Sequence, residues 1–166
     1  MQEKSQTPES ALPHMPDAET IRQELGKARS INDLTGKDGV FARLFGQTLT
    51  AMLEGELSGH LGYERYEPKG RNSGNSRNGK RSRTVKTSAG EAEVSVPRDR
   101  AGTFEPQVLR RYETSSNELE DKIIAMYARG MTVRDIQSAL EEMYGITTSP
   151  ETISRITDKV MPLVEV

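Results

Sequence analysis

Between Asp38 and Tyr63, the residues Phe41, Leu44, Phe45, Leu49, Met52, Leu53, Leu57 and Leu61 recur every three or four positions, the period of a single helix face. This is the strongest helical pattern in the chain, and it constrains everything built around it. Gly46, Gly55 and Gly59 each cost such a helix about 1 kcal/mol against Ala, so it needs a packing partner. The core available to it is small and mainly aliphatic, because the 166 residues are 33% hydrophobic and hold three Phe, five Tyr and no Trp. Periodicity alone leaves two uses for the stripe: a core face, which is the simpler, or the seam of a homodimer through the helix over residues 38–62.

Several function classes drop out on composition. The chain has no Cys, which removes disulfides, thiolate metal sites and cysteine nucleophiles. His14 and His60 are the only imidazoles and nothing in the sequence brings them together, so no zinc site is expected. The opening MQEKSQTPESALPHMPD lacks an apolar segment behind a basic start and does not read as a secretory signal. No run approaches the roughly 18 apolar residues of a membrane span. The expectation is a cytoplasmic protein with no membrane partner.

Charge is unevenly distributed. The whole chain has a formal net charge of −2, yet residues 1–68 carry −4, residues 69–111 carry +7 and residues 112–166 carry −5. The basic portion contains RNSGNSRNGKRSRTVKT, residues 71–87, with six Lys or Arg and no acid. Duplex DNA presents one phosphate charge per about 1.7 Å, and clustered cations on a Gly/Asn-rich backbone can follow that lattice and release its counterions. Arg71, Arg77, Lys80, Arg81, Arg83 and Lys86 are therefore candidate phosphate contacts. A solvated linker, or a face paired with the acidic flanks, would need the same residues. Because no acid occurs from Lys69 to Gly90, neutralisation within the segment is impossible, which favours nucleic acid.

The remaining patterns divide the chain into a disordered tail (1–16), a helical region (17–62), a basic loop with a β-hairpin (63–112) and a helix-turn-helix region (113–166). Asp17 can cap a short helix, DAETIRQELGKARS, with Ile21 and Leu25 on one face. RTVKT and AEVSV, separated by SAGE, read as hairpin strands, with Gly90 supplying a positive φ and Pro97 ending the second. Asn117 with Glu120, or Ser115 with Glu118, can box the start of a helix whose Leu119, Ile123, Ile124 and Tyr127 make an apolar face and which stops at Gly130. Thr132 with Asp135 caps the next helix, which stops at Gly145; Ser149 and Pro150 start a last one burying Ile153, Ile156 and Val160. The fold class is α+β, mostly α.

Three capped helices in a row suit a helix-turn-helix, whose last helix would enter the major groove with Thr152, Arg155 and Lys159 on its outer face. A purely structural bundle would show the same caps. Glu118, Glu120, Asp121, Glu141 and Glu142 form no catalytic or metal-binding set, since neighbouring helix positions do not face one another. GRNSGNSRNGK lacks the GKS or GKT ending of a phosphate loop.

ELSGHLGYERYE, the run from Arg71 to Glu113 and MYARGMTVRDIQSALEEMYGITTSPETISRITDKV together resemble the N-terminal half of the Mutator-type transposases of bacterial insertion sequences. The resemblance covers about residues 35–166; its most specific points are Asn78 and Gly79, Pro97 to Arg100, Gly102, Phe104, Met126 to Gly130, Tyr144, Gly145 and Ser149 to Ile156. It implies a double-stranded DNA partner, the element's terminal inverted repeats, and DNA transposition as the process. It also implies a ribonuclease-H-like domain further along, where two Asp and one Glu hold Mg²⁺ for strand cleavage and transfer. No position here matches those acids, so no catalytic residue, metal ligand or cofactor is assigned, and the chain reads as truncated before that domain. Whether it is an enzyme is left open. The alternative is a non-catalytic regulator or inhibitor of transposition, or an inert remnant. RNA binding is disfavoured by the lack of an aromatic platform across residues 67–103.

Overall fold

Asp17 opens helix α1 (Ala18–Gly26), its carboxylate accepting the Thr20 amide at 2.8 Å. The computed structural model describes residues 15–35 and 38–160, so the tail expected over 1–16 lies almost wholly outside the described residues. α1 stops short of Ser30, because Ser30 and Asp33 form a capping box that starts a separate turn, α2 (Ile31–Leu34). Its apolar face is not its buried one. Ile21 and Leu25 are exposed, while Glu24 is buried between Lys27 Nζ at 2.6 Å and Arg43 Nε at 2.8 Å. Hydrogen bonds from Lys27 and then Arg43 hold the Glu24 carboxyl below its ordinary range.

The long periodic run is helix α3 (Val40–Leu61), closed by Gly62 in the left-handed conformation at φ 82°. Leu49, Leu53 and Leu57 are buried as the stripe requires, but Phe41 and Phe45 remain 45% and 41% exposed. The helix is rotated about its axis, and the partner explains why. That partner is a hairpin of β1 (Arg77–Thr87) and β2 (Gly90–Asp99), paired antiparallel. α3 runs along the outer edge of β2, where Thr50 Oγ1 accepts the Ser95 amide at 3.1 Å. Gly46 meets the Glu93 carbonyl so closely that a Cβ would overlap its oxygen. Small residues must face the strand edge, which turns the two phenylalanines outward.

The hairpin is longer than RTVKT and AEVSV. It reaches back through the basic segment to Arg77 and forward past Pro97, with an irregularity between Arg77 and Lys80. Pro97 does not end β2: it shares the outward parity of Ser95, so its missing N–H takes nothing from the ladder. The turn is Ser88–Ala89, and Gly90 has φ 122°, as the sequence suggested. β1's outer edge is partly covered as well. Lys86 donates its amide to the Thr114 carbonyl at 2.8 Å and accepts the Ser116 amide at 2.8 Å. Leu49, Leu53, Val85, Val94 and Leu109 form the core between α3 and the sheet.

Helices α4 (Asn117–Ala128), α5 (Val133–Tyr144) and α6 (Pro150–Asp158) enclose a second core of Leu119, Ile123, Ile136, Leu140, Ile146, Ile153 and Ile156. Thr132 with Asp135, and Ser149 with Pro150, cap α5 and α6 as expected. α4 instead starts from Ser116, whose hydroxyl accepts the Leu119 amide at 3.2 Å, because the Ser115 hydroxyl is used by Glu120 at 2.9 Å. Of the apolar face of α4, Leu119 and Ile123 are buried while Tyr127 is exposed. The whole is the expected mostly α architecture with one small antiparallel hairpin. Among the described residues no helix is long and apolar enough to cross a membrane.

Candidate nucleic-acid interface

The basic segment is not all loop. From Arg77 onward it is strand β1, where Arg81 and Arg83 share one face and Lys80 and Lys86 the other, so tertiary partners and not strand parity give its cations different surroundings. Arg77 turns inward: its Nη2 donates to Ser58 Oγ at 2.7 Å and to the Tyr63 carbonyl at 3.4 Å, with the guanidinium 5.5 Å from the Tyr63 ring centroid. Lys80 Nζ lies 2.8 Å from Oε1 of Glu54, a close ion pair off the ideal hydrogen-bond direction, and the Glu54 side chain is only 5% exposed. Arg83 donates to the carbonyls of Arg110, at 3.2 Å, and of Glu113. Burial, followed by the charge of Arg81, lowers the Arg83 pKa. These three residues bind the fold together. No acid neutralises the segment from within, but Glu54 on α3 does so for Lys80 from outside it.

Arg71, Arg81 and Lys86 differ. Arg71 and Arg81 are exposed and Lys86 is half-buried, and none of their side chains forms an ion pair or hydrogen bond among the described residues. On α6, Arg155 is exposed and likewise unpaired. The Thr152 hydroxyl sits 2.9 Å from that of Ser149 within the cap, and Lys159 Nζ donates to Glu120 Oε2 on α4 at 2.7 Å. The outer face of α6 thus offers one free cation, Arg155, among the described residues.

Asp99 ends β2 and organises the loops around the start of β1. Its buried carboxylate accepts Asn75 Nδ2 at 2.9 Å, the Thr103 hydroxyl at 2.8 Å, and the amides of Thr103 and Phe104 at 3.1 Å. His60 Nε2 lies 3.4 Å away. Burial pushes this carboxyl up, but the donors outweigh burial and hold it well below the usual carboxylate range.

Sequence reasoning missed Arg110 and Arg111 as members of the same surface. The doublet was visible in LRRYE, but only the nonlocal bond from Arg83 brings it beside β1. Both side chains are exposed without a carboxylate partner among the described residues, since Glu113 Oε2 is occupied by the Arg110 amide at 2.7 Å.

Among the described residues no three His, Asp or Glu side chains converge in a way that could hold a cation. The Mg²⁺ chemistry implied by the resemblance therefore has no fit here, and the donor-filled Asp99 carboxylate offers no open ligand position.

Residues 17–166 match the family model described as transposase, Mutator family, and the chain belongs to that family. It is 44% identical over 144 residues to the transposase for insertion sequence element ISRM3 of Rhizobium meliloti (strain 1021), covering 87% of this chain and 35% of that protein. It is 41% identical over 145 residues to the transposase for element IS1201 of Lactobacillus helveticus, covering 87% of this chain and 38% of that protein. A more distant relative, at 28% identity over 145 residues, is the transposase for IS256 in transposon Tn4001 of Staphylococcus aureus, with 87% of this chain and 36% of that protein covered. The chain spans little more than a third of the length of these curated relatives.

Proposed function

We propose that this chain is a DNA-binding part of an insertion-sequence transposase, engaging the terminal inverted repeats of its element as double-stranded DNA. The observation that carries this reading is that Arg81 on β1, and Arg110 and Arg111 on the turn that Arg83 holds beside it, are exposed without acid partners among the described residues, as are Arg71 ahead of the strand and, half-buried on its other face, Lys86. Unpaired cations keep their charge for phosphates, and their release of DNA counterions supplies affinity without regard to sequence. Arg155 on α6, with Thr152 at its cap, supplies base discrimination in the major groove, with Lys159 at the far end of the helix. Two copies pair through the outward flank of α3, where Phe41 and Phe45 are exposed on a helix otherwise well covered. We assign no strand-cleavage step and no metal to these residues.

The test is fluorescence anisotropy of the chain on a duplex carrying the element's terminal repeat and on a scrambled duplex, across a salt series. Preference for the repeat, weakening with salt, is expected. Replacing Arg155 by Ala should cost about 1–3 kcal/mol of that preference at one base position. Equal affinity of the parent chain for both duplexes, or equal losses on both for the variant, would contradict the base-reading role.

A further inference from the structure

The turn from Arg110 to Glu113 is built as a fixed display. It is closed by the Glu113 amide donating to the Arg110 carbonyl at 3.1 Å, and by the Arg110 amide donating to Glu113 Oε2 at 2.7 Å. From beneath, the Arg83 guanidinium grips both the Arg110 and the Glu113 carbonyls. Lys86 then holds the next residues to the β1 edge through Thr114 and Ser116. The two residues at the tip are Arg111 and Tyr112. Tyr112 is 83% exposed, its hydroxyl has no partner among the described residues, and the Arg111 guanidinium lies 5.8 Å from its ring centroid.

This exposed aromatic ring stands on a hydrogen-bonded turn beside unpaired arginines and belongs to neither core. It matches the chemistry of an unpaired nucleotide: a base with an open face to stack on, and a phosphate alongside. A duplex interior offers no such face, because its bases cover one another. We infer that the Arg110–Glu113 turn is a binding site for unpaired DNA nucleotides adjoining the duplex, Tyr112 stacking on a base while Arg110, Arg111 and Arg81 meet the flanking phosphates. This site rests on the DNA-binding reading above and adds to it a second form of DNA.

The experiment compares anisotropy titrations of the chain on a blunt terminal-repeat duplex and on the same duplex carrying a short oligo-dT extension at either end. The extended duplex should bind about five- to 150-fold more tightly at one of the ends, the range for one base stacked on a protein ring. Tyr112→Ala should abolish that gain while leaving the blunt-duplex affinity unchanged, and Tyr112→Phe should retain it. No gain from the extension, or a gain that survives Tyr112→Ala, would overturn the site while blunt binding still supported the duplex reading. A larger gain from an oligo-U extension would overturn the assignment to DNA. Failure of the blunt duplex to bind at all would instead remove the DNA-binding reading itself.

Discussion

Lys80 and Arg81 are adjacent cations of equal charge, and the structure gives them opposite work. Replacing Lys80 by Met keeps most of the aliphatic stem and removes the charge that faces Glu54. Losing one partner of a fully buried pair costs about 3–5 kcal/mol, because the remaining charge is stranded. Here the Glu54 side chain is 5% exposed but that of Lys80 is 42% exposed, so water reaches one end of the pair. The expected loss is accordingly smaller, about 1–3 kcal/mol. In a guanidinium titration it should appear as a lower midpoint at constant slope, and by calorimetry as about 2–4 °C in Tm for each kcal/mol. Adding Glu54→Gln to the variant should recover part of the loss, since it removes the stranded charge. The slope of log affinity for DNA against log salt should not change. Arg81→Ala should do the converse, leaving stability within about 0.5 kcal/mol of the parent and flattening the salt slope by about 0.9. A Lys80→Met chain as stable as the parent, or a salt slope that flattens for Lys80→Met and not for Arg81→Ala, would refute this division of labour.

Three further outcomes follow from the packing. Gly46→Ala should destabilise the chain by about 1–3 kcal/mol even though Ala favours helix, because the methyl group meets the Glu93 carbonyl; a raised denaturation midpoint would mean α3 stands away from the β2 edge. Because the Asp99 carboxyl is depressed in the folded chain, the stability it contributes is present in full above the ordinary carboxylate value of about 4 and is lost as pH falls below that. Asp99→Asn should therefore be less stable at neutral pH and show a shallower fall in stability through the acid range, and parallel pH curves for parent and variant would be the contrary result. Replacing Phe41 and Phe45 together by Ser should convert a dimer to a monomer in light scattering, with unchanged far-UV circular dichroism; a parent chain that is already monomeric would remove the α3 seam.

Local signals carried the caps and stops. Asp17, Thr132 with Asp135, Ser149 with Pro150, Gly62 and Gly145 act where sequence rules put them, because each satisfies backbone groups within a few residues. What the sequence hid was nonlocal. The outward turn of Phe41 and Phe45 depends on a strand edge some fifty residues away pressing on Gly46, as Phe45 and Ser95 are separated by the whole basic segment. The exposure of Ile21 and Leu25 depends on Glu24 finding Arg43. The basic run looked uniform as text, yet three of its six candidates, Arg77, Lys80 and Arg83, are committed to Ser58 and Tyr63, to Glu54, and to the 110–113 turn. Counting charge picked out the basic region but could not separate cations that hold the fold from cations left free. Only the tertiary partners do that.

The hairpin is also the joint between the two halves of the chain. Lys86 is tied to Thr114 and Ser116, Ser88 Oγ donates to Glu118 Oε2 at 2.8 Å, and Glu91 Oε1 accepts the Thr147 amide at 3.0 Å. Such ties fix the angle between the strand that carries Arg81 and the bundle that carries α6. For a chain bound to DNA through both, the distance between its two contacts becomes a property of the protein and not of a flexible linker. The double helix must then present both contacts in the same rotational phase: about five extra base pairs between them would turn one contact to the far side of the duplex.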